Sequence, residues 1–286
     1  MSATAAIYAL AEACFGRQRL WRLSRRLYLM ARRDGSIDFE QDGETELIAS
    51  LAKWSYAAGR PLFVLDVGAN RGEWTRALVT ALRASAAPRA RVVAFEPVPN
   101  LADGLRTIAS DPALGADVSV VQAALSDREG SLSFVVTEGG GDHHIASKDF
   151  AFEGRTIEVE VSTLDRWCAA EGVDWIDMVK IDAEGFDPLV IAGAARMLQE
   201  ERIGLIQFEY GVLYIRSRTY LYDVFQQIAG TRYKVGRLTK QGIELFDNWH
   251  FDLERFNGAN YVIVHETVRD RVLCRDVTYG PTNAYD

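Results

Sequence analysis

The chain has 286 residues, 48% of them apolar and 25% charged, and its 32 basic side chains against 40 acidic ones give a formal charge of −8. That balance describes a globular protein, not a disordered or fibrous one, and its sign offers no general attraction for nucleic acid phosphates. Cys14, Cys168 and Cys274 lie too far apart for a CxxC zinc pair and are odd in number, so a reducing, cytoplasmic compartment is expected.

The first 16 residues are apolar, but Glu12 interrupts them and the arginines follow the run, the reverse of a signal peptide. No apolar run reaches the ~20 residues that cross a membrane. "RQRLWRLSRRLYLMARR", residues 17–33, carries seven arginines with Leu20, Leu23, Leu27 and Met30 at three- and four-residue steps, the period of an amphipathic helix. Two uses stay open: the leucine stripe packs on the main domain, or the helix touches anionic lipid or an acidic carrier in peripheral membrane contact. "DGETELIASLAKWSYAAG" predicts a second helix stopped by Gly59. The expected partition is an N-terminal helical cap over residues 1–60 and one continuous domain over 61–286.

From residue 61 the pattern alternates. "LFVLDV", "RVVAFEP" and "VSVVQAAL" read as strands, with helices "GEWTRALVTALRAS" and "NLADGLRTIAS" between them. "GSLSFVVTE" and "RTIEVEVSTL" alternate apolar and polar residues around the glycine-rich "EGGGDHH", which predicts a β-hairpin insertion beside a cleft. Strand "WIDMVKID", helix "PLVIAGAARMLQEE", strand "IGLIQFEY" and helix "RTYLYDVFQQIAG" resume the alternation before "YKVGRL", "GIELF" and "NYVIVHE". Such alternation implies an α/β fold with a mostly parallel, doubly wound sheet.

In such sheets ligands bind beyond the carboxyl ends of the strands. The first strand ends in "DVGANRG", placing Asp66, Gly68, Asn70 and Gly72 there. A dinucleotide turn needs G-x-G-x-x-G, but Asn70 and Glu73 stand at the second and third glycine positions, and an acid at a helix start repels a pyrophosphate. Asp66 suits an ammonium group. Glu96 ends the second strand thirty residues on, where a carboxylate accepts bonds from both ribose hydroxyls. A nucleoside that carries an amino acid and no phosphate satisfies both acids, and S-adenosylmethionine is such a molecule.

Together "LDVGANRGEWT", "VVAFEPVPNL", "AALSDREGSLSF", "STLDRW" and "DMVKIDAEGFDPLVIAGA" resemble the FkbM family of class I S-adenosylmethionine-dependent methyltransferases, over about Leu62 to Glu209. The resemblance implies a Rossmann-like seven-stranded sheet, with Asp66 and Gly68 near the methionine end, Asn70 and Gly72 shaping the turn and Glu96 at the ribose. It also implies that Ala123, Ala124 and Leu125 lie near adenine, and it favours a hydroxyl acceptor on a sugar, glycan or polyketide-like metabolite.

For the acceptor's proton the candidates are Asp182 and Glu209 at strand ends and His144, beside His143, on the glycine-rich loop. Asp182 and Glu209 are also the pair that would hold a divalent metal such as Mg, although no HxH or HxxE pattern supports one. Glu184, Asn248 and His250 are weaker candidates, Asp127 is a weaker candidate beside adenine, and Tyr210 is the aromatic chosen to stack on a sugar face or on adenine. A catalytically silent cofactor-binding partner and a nicotinamide oxidoreductase are the rival readings.

Overall fold

The computed structural model describes residues 3–31, 43–88, 90–111, 117–136, 144–145 and 154–280. Helices α1 (Ala3–Phe15), α2 (Arg17–Ala31) and α3 (Glu44–Ala58) come first, followed by β1 (Phe63–Val67), α4 (Glu73–Ala84), β2 (Arg91–Phe95), α5 (Pro99–Ala109) and β3 (Asp117–Val121). Next come the short β4 (Ala124–Leu125), β5 (Gly130–Val136), β6 (His144–Ile145), β7 (Arg155–Ser162) and α6 (Leu164–Glu171). The chain continues through β8 (Ile176–Ile181), α7 (Asp187–Ala192), α8 (Ala195–Gln199), β9 (Ile203–Tyr210), α9 (Tyr214–Ser217) and α10 (Leu221–Gln227). It closes with β10 (Tyr233–Thr239), β11 (Gly242–Phe246), β12 (Ala259–His265) and β13 (Cys274–Val277).

The main sheet has nine strands, not the expected seven, in the order β13-β11-β10-β12-β9-β8-β1-β2-β3. β9, β8, β1, β2 and β3 are mutually parallel, and β12 reverses direction against both β9 and β10. The extra width is at one edge, where the tight turn before Gly242 folds β11 back on β10 and four residues of β13 pair with β11. "CRDV" is too short and too polar to show strand periodicity.

Alternate residues of the central strands face opposite layers. Leu65, Val93, Val179 and Ile206 pack with residues of α6, α7, α8 and α10, whereas Val64, Val92, Met178 and Leu205 pack with residues of α3 and α4. Each fully buried aliphatic side chain contributes about 1.5–3 kcal/mol. α3 belongs to this core through Leu47, Ile48, Leu51 and Trp54. α2 does not: none of its residues is buried, so the leucine stripe does not pack on the domain as one of the two readings required.

The segment read as one strand, "VSVVQAAL", splits. β3 stays in the main sheet while β4 pairs with β7, and β4-β7-β5-β6 form a second, four-stranded sheet where a simple hairpin was expected. "PLVIAGAARMLQEE" also splits, into α7 and α8, at Gly193, where an added Cβ would lie 2.0 Å from the Ser126 carbonyl oxygen. At the amino end of the sheet, Asp177 is fully buried and ties β1 to β8. Its carboxylate accepts from both Arg60 Nη atoms at 2.7 Å, from Phe63 N at 2.8 Å and from Trp175 Nε1 at 2.8 Å.

Candidate functional site

The turn after β1 is left-handed at Gly68 (φ +77°), Asn70 (φ +49°) and Gly72 (φ +76°). The amides of Gly68 and Ala69 both donate to the Phe95 carbonyl at 3.0 Å, which draws the turn across the end of β2. A Cβ on Gly68 would sit 2.0 Å from the Asp182 carbonyl oxygen, so only glycine lets the end of β8 come this close. The close approach that the bare Gly68 permits is therefore to a neighbour within the protein.

Asp66 lies beneath this turn, 2% exposed, and accepts from Thr75 Oγ1 at 2.6 Å. Burial raises its pKa to about 6, against the opposing effects of the Thr75 hydroxyl and the Lys180 ammonium. Glu96 is similarly buried at the end of β2, with Oε1 accepting from Val98 N at 2.8 Å and Oε2 from Asn70 N at 2.9 Å. Burial raises its pKa too, opposed by those two amides. Each carboxylate oxygen keeps a second lone pair for a ligand hydroxyl.

Gly68, Asn70, Glu96 and Asp182 line a cleft that is partly open to solvent. Ala123, Ala124 and Leu125 line it as well. Asp66 and Gly72 do not line it and act from behind the wall. The second sheet supplies Leu132 and Phe134, and the loop before α7 supplies Phe186. Leu132 and Phe134 escaped the reading, although their alternation in "GSLSFVV" puts them on one face of β5.

Below the cleft floor lies a buried charge cluster. Lys180 Nζ is 3.5 Å from Asp182 Oδ2 and 3.8 Å from Glu44 Oε1, and Glu44 in turn accepts from Gln207 Nε2. Burial lowers the Lys180 pKa, but Asp182, Glu44, Asp66 and Asp187 outweigh it and hold the ammonium charged. Asp187 is fully buried. Its pKa is raised well above the usual range by burial and by Asp182 and Glu209, while it accepts from Gly185 N at 3.3 Å and Glu209 N at 3.2 Å. The Asp182 side chain is 44% exposed at the cleft mouth. Glu209 is half-buried and is not among the residues lining the cleft.

The remaining candidates scatter. His143 lies outside the described residues, and so does the side chain of His144, whose backbone forms β6. Glu184 lines the cleft in the left-handed conformation (φ +52°), whereas Asp127 is exposed and bonded to Ser126 Oγ. Asn248 is exposed, and His250 caps a short 3-10 turn, its Nδ1 accepting from Asp252 N while its ring stacks on Tyr279. Tyr210 is a core residue and cannot stack on a sugar: 1% exposed, it donates to Glu254 Oε1 and accepts from Phe256 N. Among the described residues, no group of three His, Cys, Asp or Glu is placed to hold a metal ion.

Residues 66–233 match the model of the methyltransferase FkbM domain. The 2-O-methyltransferase NoeI of Sinorhizobium fredii is 28% identical over an alignment of 165 residues that covers 53% of this chain and 65% of NoeI, so the match spans less than two thirds of that relative. Among solved structures, the methyltransferase FkbM from Methylobacillus flagellatus KT overlaps 71% of this chain and 43% of its own, with 14% identity and a TM-score of 0.41. An O-methyltransferase structure from Klebsiella pneumoniae, itself assigned only by similarity, overlaps 78% of this chain and 79% of its own, with 13% identity and a TM-score of 0.40. Neither superposition is close enough to speak to residue roles or substrate. The family model covers well over half of the chain and begins at the buried Asp66 of the glycine turn: the chain belongs to the FkbM methyltransferase family.

Proposed function

We propose that the chain binds S-adenosylmethionine in the cleft and methylates a hydroxyl oxygen of a sugar, glycan or polyketide-like metabolite. The observation that carries the cofactor is Glu96, whose two oxygens are pinned by the Asn70 and Val98 amides at the edge of a largely apolar cleft. Such a carboxylate is fixed in place to receive a ribose diol, and it would repel a phosphate. Glu73, in the first turn of α4, disfavours a pyrophosphate at that helix start. A hydroxyl acceptor is supported by NoeI, a 2-O-methyltransferase.

When bound, the cofactor supplies an electrophilic methyl group on a sulfonium. Glu96 would hold the ribose hydroxyls, Ala124 and Leu125 would lie against the base, and the amino acid end would lie beside the Gly68 turn, with the Asp66 carboxylate behind that wall. Asp182 projects from the cleft mouth and takes the acceptor proton, with Lys180 beneath it fixing its position. Glu209 and His144 are the alternative bases. Much of the acceleration comes from holding the acceptor oxygen in line, since proximity alone is worth up to ~7–11 kcal/mol in favourable systems.

The test is calorimetric titration with S-adenosylhomocysteine and with NAD, followed by transfer of a labelled methyl group to a panel of hydroxylated acceptors. Binding of the first ligand only, with the label recovered as a methyl ether of the acceptor, is the expected result. Glu96→Ala should weaken binding at least tenfold, because hydrogen bonds to a charged group are worth about 1.5–3 kcal/mol each. Unchanged affinity in that variant overturns the ribose assignment. Binding without transfer to any acceptor would favour a silent partner.

A further inference from the structure

We propose that α2, continued by α1 across Gly16, is a surface helix that lays its apolar side into the headgroup region of an anionic bilayer. At about 100° per residue, Leu20, Trp21, Leu23, Leu27, Tyr28 and Met30 share one half of α2, while Arg19, Arg22, Arg25 and Arg26 share the other. The apolar half stands in solvent: Trp21 is 60%, Leu27 56% and Met30 74% exposed. α1 adds exposed Ile7, Tyr8, Leu10 and Phe15. Gly16 (φ +71°) bends the junction, and the bonds Gly16 N to Glu12 O and Leu20 N to Gly16 O carry the backbone through it.

The occupant must take large apolar side chains and positive charge on one short face. α2 holds five arginines and no acid, a local reversal in a chain of net charge −8. Lipid with anionic headgroups meets both demands at once, and Trp21 and Tyr28 are residue types favoured at that boundary. At about 1.5 Å per residue α2 is some 22 Å long, and among the described residues no helix is long and apolar enough to cross a membrane. The helix therefore lies on the surface. The Arg255 guanidinium sits 4.9 Å over the Tyr28 ring, and Phe256 N bonds to Tyr210 at the carboxyl end of β9. α2 thus attaches at the end of the sheet where the cleft opens. This inference stands on the helices alone and is independent of the proposed chemistry.

The experiment is flotation of the full-length chain with phosphatidylcholine vesicles and with vesicles of mixed phosphatidylcholine and phosphatidylglycerol. Co-flotation with the mixed vesicles only, weakened by added salt, is expected. Neutralising Arg25 and Arg26 to Gln should lower partitioning roughly 25-fold, taking each arginine at an anionic surface as about five-fold. Leu23→Asp with Leu27→Asp should abolish it while the circular dichroism spectrum and unfolding midpoint stay those of the parent. No flotation with either vesicle overturns the proposal, as does flotation that the double arginine variant leaves unchanged. Self-association in sedimentation velocity, lost in the leucine variant and without vesicle binding, would assign the face to a second copy and overturn it equally.

Discussion

Asp66→Asn isolates the energetic consequence of placing a carboxylate under the glycine turn. Asparagine keeps the shape and an acceptor for Thr75 Oγ1 but removes the charge. In the native protein burial raises the Asp66 pKa from 3.8 to about 6, so the folded state holds this proton more tightly than the unfolded chain. The sign follows directly: as pH rises from about 4 to 6 the unfolded chain gives up the proton first, and stability falls through that window and is flat above it. The gap between 3.8 and about 6 corresponds to ~3 kcal/mol of destabilisation at neutral pH. Asp66→Asn should therefore be up to ~3 kcal/mol more stable than the parent in urea unfolding at neutral pH, and the two should converge near pH 4. Binding should move the other way, because an ammonium group on the ligand favours the charged form: parent affinity for S-adenosylhomocysteine should rise as pH passes about 6, and the variant should lose that dependence. A variant no more stable than the parent at neutral pH, or a stability difference independent of pH, refutes the reasoning.

Gly68→Ala puts a methyl group onto the Asp182 carbonyl in a backbone region that alanine disfavours by about 1–2 kcal/mol, so calorimetry should show ligand binding lost or greatly weakened. Asp182→Asn should leave S-adenosylhomocysteine affinity within about threefold and lower turnover by roughly 10²-fold or more, the usual range for a proton-accepting group; equal turnover would move that role to Glu209 or His144. Asp177→Ala leaves the partly buried Phe63 amide and Trp175 indole without their acceptor and should lower unfolding free energy by about 1–3 kcal/mol for each group left unsatisfied, measurable in the same urea titrations.

Much of the site was readable from local pattern because the elements that build it are local. A glycine turn at a strand end and an acid at the end of the next strand occupy fixed places once strands and helices alternate, and Gly68, Asn70 and Glu96 meet at the cleft with Ala124 and Leu125, which only the family resemblance pointed to. Tyr210 shows the opposite case. Its position at a strand end is the same in kind as that of Asp182, but Tyr214, Phe256 and, from β12, Tyr261 close around its ring, and such long-range contacts are not carried by periodicity.

The chain's own pattern of residues therefore determined the alternating α/β class, the glycine turn, the acid at the second strand and the amphipathic character of residues 17–33, since each depends on spacing within one or two elements. Tertiary structure alone decided the rest. It widened the sheet to nine strands, drew α3 into the core and brought Glu44, Gln207, Lys180 and Asp182 together from distant parts of the chain. It also left α2 uncovered and put Asp66 behind the wall that Glu96 faces, because burial and charge pairing depend on which surfaces meet, and a single segment does not encode its neighbours.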